Sequence, residues 1–244
     1  RNNLRKSAYA SSAMESSLTS PRYRVGVLLF EGVDILDFAG PIEILSHVST
    51  NQNPDNPDRV FEIRTIARSA TVRAANSLTV AVDVLLDEAR QELETYDILV
   101  VPGGPPAVMI PLSTAKGPEL ELIKGFAALR AKSEKDPRVL LSVCTGAFPV
   151  AATGLFGGLT VTTHHRALDV LSEICAKANV DGQKTEVVHK RFVDGGVIRD
   201  GVRIVTAGGI SSGLDAALYL VSQKTSHDMA AFISRVMEYG WRKE

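Results

Sequence analysis

The chain has 244 residues, 45% of them hydrophobic and 23% charged, with 27 lysines and arginines against 28 acids. That length allows one sizeable core or two smaller domains, and a formal net charge of -1 without a basic stripe argues against nucleic acid as a partner. No apolar run approaches the ~18 residues of a membrane span, so no membrane partner is expected, and with only two cysteines, Cys144 and Cys175, a cytoplasmic, reducing location fits better than a disulfide scaffold.

Residues 1–21 are rich in Ser, Asn and Ala, lack apolar periodicity and read as a disordered arm before a single domain over 22–244. Arg1, Arg5, Lys6 and the serines of that arm also fit, faintly, an organelle transit peptide. Tyr23 to Phe30 predicts the first strand. Asp34 to Pro41 reads as a loop, with Gly40 as N-cap and Pro41 as first residue of a helix reaching Ser49. Asn51 to Asp58 is turn-rich. Phe61 to Ala67 predicts a strand, Arg73 to Val82 a short strand or hairpin, and Val84 to Leu93 a helix. Asp97 to Val101 is a buried strand that ends in Pro102-Gly103-Gly104-Pro105. Glu119 to Lys132 reads as an amphipathic helix.

Arg138 to Val143 is an apolar strand that runs into Cys144-Thr145-Gly146, and small and apolar residues as far as Leu155 continue as a helix. Cys144 therefore falls on a strand-to-helix turn, the position of a nucleophile elbow. Pro149 lies within the first helical turn, where amide nitrogens have no helical partner. Leu159 to Thr162 predicts a short strand and His165 to Ala178 a helix with Thr163 as cap. Further strands are expected within Glu186 to Val193 and Val197 to Thr206, separated by a turn at Asp194-Gly195-Gly196. Helices over Ser212 to Val221 and His227 to Tyr239 complete the chain. Alternating strands and helices predict a mostly parallel sheet covered on both faces, with ligands bound beyond the carboxyl ends of its strands.

Chemistry is expected where those ends converge. Cys144 is either an activated thiol, its thiolate favoured by the helix N-terminus, or a small core residue. Asp37, among apolar neighbours, is either a carboxyl of raised pKa or a helix-entry residue bonded to nearby N–H groups. Gly103 and Gly104 form a backbone cradle for a substrate oxyanion or a plain tight turn. Thr145 is a substrate donor or a cap. His164 and His165 are candidate bases for Cys144 or structural residues. Asp215 reads as a cap and Cys175 as core packing. Neither CxxC nor HExxH spacing occurs, so no metal site is expected.

Five motifs then occur in order: Asp37-Phe38-Ala39-Gly40-Pro41, Val101-Pro102-Gly103-Gly104, Ser142-Val143-Cys144-Thr145-Gly146, Thr162-Thr163-His164, and Gly208 to Asp215. Together they resemble the DJ-1/PfpI superfamily over roughly 23–240, and within it the isonitrile hydratase branch. The resemblance implies a flavodoxin-like three-layer α/β sandwich, related to class I glutamine amidotransferases, and a homodimer. It implies a hydro-lyase that converts an isonitrile to a formamide through a Cys144 thioimidate. Cys144, Asp37 and Thr145 would be catalytic, and Gly103, Gly104, Gly146 and His164 would bind the small-molecule substrate. No cofactor is implied, because the thiol supplies the covalent chemistry. Glyoxalase-type or deglycase-type action on dicarbonyls, and a non-enzymatic redox-sensing or chaperone-like role, are the rival implications. Thr145 stands where protease-like and many glyoxalase-type members have His, and Asp37 where DJ-1 itself has Glu.

Overall fold

The structure, a computed structural model, describes residues 22–243 apart from 115, 134, 180, 181 and 200. The expected N-terminal arm, 1–21, lies outside the described residues. In chain order the elements are β1 (Tyr23–Leu28), α1 (Ile35–Ser46), β2 (Phe61–Ala67), β3 (Thr71–Ala74), β4 (Leu78–Ala81), β5 (Val84–Leu85), α2 (Leu86–Gln91), β6 (Ile98–Val101), α3 (Pro106–Thr114) and α4 (Pro118–Ala127). They continue with β7 (Arg138–Val143), α5 (Ala147–Ala152), β8 (Thr160–Val161), α6 (Leu168–Ala178), β9 (Glu186–Val187), β10 (Phe192–Ile198), β11 (Val202–Ala207), α7 (Ser212–Lys224) and α8 (His227–Val236).

Seven strands form the main sheet in the order β10-β11-β7-β6-β1-β2-β5. All neighbours are parallel except the antiparallel edge pair β10 and β11. α1, α7 and α8 pack together on one face, and α2 to α6 cover the other. This is the three-layer α/β sandwich, and the reason is visible strand by strand. β6 (ILVV) and β7 (RVLLSV) are buried at every position, as a sheet covered on both faces requires. β3 and β4 form a separate hairpin, and β8 and β9 a separate parallel pair.

Several boundaries differ from expectation. α1 starts at Ile35, not Pro41, so Asp37 sits in its first turn and Gly40 and Pro41 lie inside it. Pro41 removes the helical bond to the Asp37 carbonyl. The burial of Phe38, Pro41, Ile44 and Leu45 against the sheet outweighs that loss. The Asp194-Gly195-Gly196 stretch is not a turn: β10 runs straight through it, with the register shift of a bulge between Asp194 and Gly196. α3 was not expected at all, and Val84-Leu85 adds an edge strand where a helix start was expected. α4 stops at Ala127 and α8 at Val236, short of the predicted ends. α6 begins only at Leu168, without Thr163 as its cap. Asp215 is no cap either. It is fully buried and accepts from Arg191, Tyr239 Oη and the Arg242 N–H, which ties the segment after α8 to the loop before β10.

Candidate active site

Four neighbouring strands deliver the site. Past the carboxyl end of β1 comes Asp37. β6 leads to Gly103 and Gly104, β7 to Cys144 and Thr145, and β11 to Gly208, Gly209 and Ile210. Thr163 and His164 follow β8. Cys144 adopts φ 57°, in the left-handed region that a side chain rarely occupies. Two bonds hold its backbone there. Its N–H donates to Gly208 O at 2.9 Å, and Thr163 Oγ1 donates to its carbonyl at 2.7 Å. The backbone N–H groups of Ile210 and Thr145 face its sulfur. Ile210, a β-branched residue, is itself at φ 45°, a strained conformation beside the thiol.

Asp37 is fully buried. Its Oδ2 accepts the Gly103 N–H at 3.0 Å, while Oδ1 has no hydrogen-bond partner. Cys144 Sγ and one oxygen each from Asp34 and Asp37 lie within 4.8 Å of one another, the one such grouping of possible metal donors among the described residues. Burial, and then the charge of Asp34, raise the Asp37 carboxyl to about 7, against the smaller effects of the Gly103 N–H and the thiol. Asp34 is also raised, by burial. The Cys144 thiol moves the opposite way from expectation. Burial and the Asp37 charge push it up to about 12, and the facing N–H groups offset only part of this. Cys144 opens the turn Cys144–Gly146 that leads into α5, and its depth and the carboxylate beside it outweigh the N–H groups there. The expected raised carboxyl is present, but the thiol beside it is raised as well rather than lowered.

The glycines and Thr145 have jobs that spacing could not reveal. Thr145 Oγ1 accepts the Gly104 N–H at 3.0 Å and donates to Gly104 O at 2.7 Å. Gly103 N–H is taken by Asp37. In this state neither amide is free to hold a substrate oxygen, and Thr145 braces the loop. A Cβ on Gly103 would lie 2.6 Å from Thr145 Oγ1 and 2.9 Å from Asp37 Oδ2. Gly146 is required by close packing, since a Cβ there would lie 2.1 Å from Val101 O. His164 is half-buried on the wall of a cavity that opens beside the elbow, with its ring against Gly209. Burial, His165 and Arg166 hold its pKa down. Cys175 is buried on α6. Asp34 and Ile210 join the site without having been singled out. The first was legible as a second acid one helical turn before Asp37, the second only as part of the Gly208-Gly209-Ile210 motif.

A mostly parallel sheet with an interior strand that ends in a cysteine held at a left-handed turn defines the class of α/β proteins with a thiol at a nucleophile elbow. Within that class the chain belongs to the DJ-1/PfpI family, whose model matches residues 23–223. It is 26% identical over 217 residues to the isonitrile hydratase of Pseudomonas putida, spanning 88% of this chain and 78% of that protein. Its fold is similar to a ThiJ/PfpI family protein from Pseudomonas syringae, with a TM-score of 0.68 at 19% identity over 95% of this chain and 83% of the other. Schizosaccharomyces pombe DJ-1 aligns with a TM-score of 0.63 at 18% identity, covering 89% and 100% of the two chains. Among the described residues no helix is long and apolar enough to cross a membrane.

Proposed function

We propose that the chain is a hydro-lyase that adds water to an isonitrile and releases an N-substituted formamide. One observation carries this reading: a fully buried carboxyl with one unpartnered oxygen shares a crevice with the elbow thiol. An isonitrile carbon takes up a nucleophile and a proton at the same atom, and this pair supplies both. Asp37, as carboxylate, takes the proton from Cys144 while sulfur bonds to the carbon, then passes that proton to the same carbon. The product is a thioimidate. Asp37, a carboxylate again, accepts a proton from water as hydroxide adds to the thioimidate carbon, and hands it to nitrogen. The C–S bond breaks, the hydroxyl proton returns to sulfur by way of Asp37, and the formamide leaves. One water is consumed, and both side chains end as they began. Ile210 N–H and Thr145 N–H stabilise the charge that develops on sulfur. Thr145 Oγ1, Gly103 and Gly104 keep the carboxyl aimed, Gly146 lets the elbow close on β6, and His164 lines the way in. The active form is a homodimer.

The similarity to the Pseudomonas putida enzyme supports this reading, as does Thr145 after the cysteine. A redox-sensing role is less well supported, because such cysteines are exposed and of low pKa, whereas Cys144 is buried with its pKa raised. The test is incubation with cyclohexyl isocyanide and, separately, with methylglyoxal, following N-cyclohexylformamide and lactate. Formamide from the wild type and none from Cys144→Ala is the expected result. Lactate without formamide would replace the hydratase by dicarbonyl chemistry, and neither product would point to a role without turnover.

A further inference from the structure

The cavity beside the elbow holds about 680 Å³, the size of a small-molecule site. Its lining includes Thr163, Gly208 and Ile210, which bond Cys144. Another part of its lining has a different character. His164, His165, His189 and Lys190 stand together there. The ring centroids of His164 and His165 are 4.3 Å apart, and those of His165 and His189 are 6.3 Å apart.

These groups are not used up by the fold. Arg191, the next residue, is paired with buried Asp215. Among the described residues, the histidine that pairs with a carboxylate is His47, and Lys190, His165 and His189 have no such partner. The acid that acts on His164 is Asp34. The backbone at Lys190 is nonetheless fixed. Thr162 Oγ1 bonds Lys190 O at 3.3 Å, and the Thr162 N–H donates to Thr206 Oγ1 on β11 at 2.9 Å. Lys190, His165 and His189, without carboxylate partners among the described residues, thus line a cavity whose lining also includes residues that bond Cys144.

We propose that the substrate carries a carboxylate, held by Lys190 and His189 at the mouth of this cavity while its reactive carbon meets Cys144. With the isonitrile reading, on which this step rests for the reacting group, the substrate class is a short isocyano acid. The chemistry is consistent, since an isonitrile is a one-carbon derivative of a primary amine, and an amino acid so converted keeps its carboxylate a few bonds from the reacting carbon. Lys190 and His189 bind the anion and leave the proton transfers to Asp37.

The experiment compares isocyanoacetate with its neutral methyl ester as substrates for the wild type and for the Lys190→Gln/His189→Gln double variant. The wild type is expected to favour the acid in kcat/KM. The double variant lowers that preference by about two- to fivefold, the range of an exposed ion pair, and leaves the ester unchanged. The loss falls on KM and shrinks in high salt. Calorimetric binding of N-formylglycine and its methyl ester gives a readout that needs no turnover. If no isocyanide is hydrated, yet N-formylglycine binds more tightly than its ester and loses that advantage in the double variant, the hydratase reading falls and the carboxylate site stands. Equal binding of acid and ester, or a variant that weakens both alike, overturns the proposal.

Discussion

Replacing Asp37 by Asn separates the energetics of the site from its chemistry. The amide keeps the shape, and its oxygen can still accept the Gly103 N–H. It removes the charge. A carboxyl raised from 3.8 to about 7 opposes folding by about 4 kcal/mol once it is ionised, at ~1.36 kcal/mol per pH unit. The direction follows from where the proton is held. Between about pH 4 and 7 the folded protein keeps it while the unfolded chain has released it. Wild-type stability from this group is therefore full near pH 4 and is lost as pH rises through about 7. Asp37→Asn has no such dependence. The variant should match the wild type in urea unfolding at low pH and exceed it by roughly 4 kcal/mol at pH 8, an upper figure if the crevice relaxes. Its turnover of cyclohexyl isocyanide should fall by about a hundredfold or more, the scale of general acid–base catalysis. A stability difference that stayed flat from pH 4 to 8 would mean that Asp37 ionises as it does in water, and the account of a buried, proton-sharing pair would be refuted.

For the wild type, kcat/KM should rise with pH through about 7, because Asp37 must be a carboxylate to take the thiol proton; a profile falling through that pH would restore Asp37 as the resting acid. Cys144→Ala should abolish turnover without loss of fold and Cys175→Ala should keep it, checked by product assay and circular dichroism; activity surviving in Cys144→Ala would remove the covalent step. Gly103→Ala should cost at least about tenfold in kcat/KM and lower the melting temperature, since its methyl would lie 2.6 Å from Thr145 Oγ1; near-normal kinetics would show that the loop is not the brace described. Light scattering should give twice the chain mass of 26.2 kDa, and a monomer mass would exclude the homodimer.

The elbow was legible because two levels agree there. An all-buried run of Val and Leu can only be an interior strand, and the small residues after Cys144 let the helix pack closely. β2 was legible to the residue as well, although it is only partly buried. α1 was not, because Gly40-Pro41 is a good local start signal and only the tertiary burial of Phe38 and Ile44 reveals an earlier one. Likewise Asp194-Gly195-Gly196 carries turn chemistry but serves as a bulge, since the strand continues by pairing with β11. In the site, the residue types were readable and their electrostatics were not. Whether a thiol is raised or lowered depends on depth and on the nearest charge, and neither Asp34 nor the burial of Cys144 can be weighed from spacing.

The strand order also sets a timetable for synthesis. β1 lies inside the sheet between β2 and β6, but β6 emerges some 70 residues later and β11 about 180 residues later. Asp37 leaves the ribosome early and waits for Ile210, about 170 residues downstream. At 5–20 residues per second that interval is on the order of 10–30 s. β1 and β2 pair first, and the open N–H and C=O groups lie on β1 until β6 emerges, then on β6 until β7, and then on β7 until β11. The nascent chain therefore carries an exposed, apolar sheet edge for most of its synthesis. Helpers that shield such edges on the ribosome should raise the yield of this protein more than that of an antiparallel domain of equal length, whose neighbours in space are neighbours in sequence.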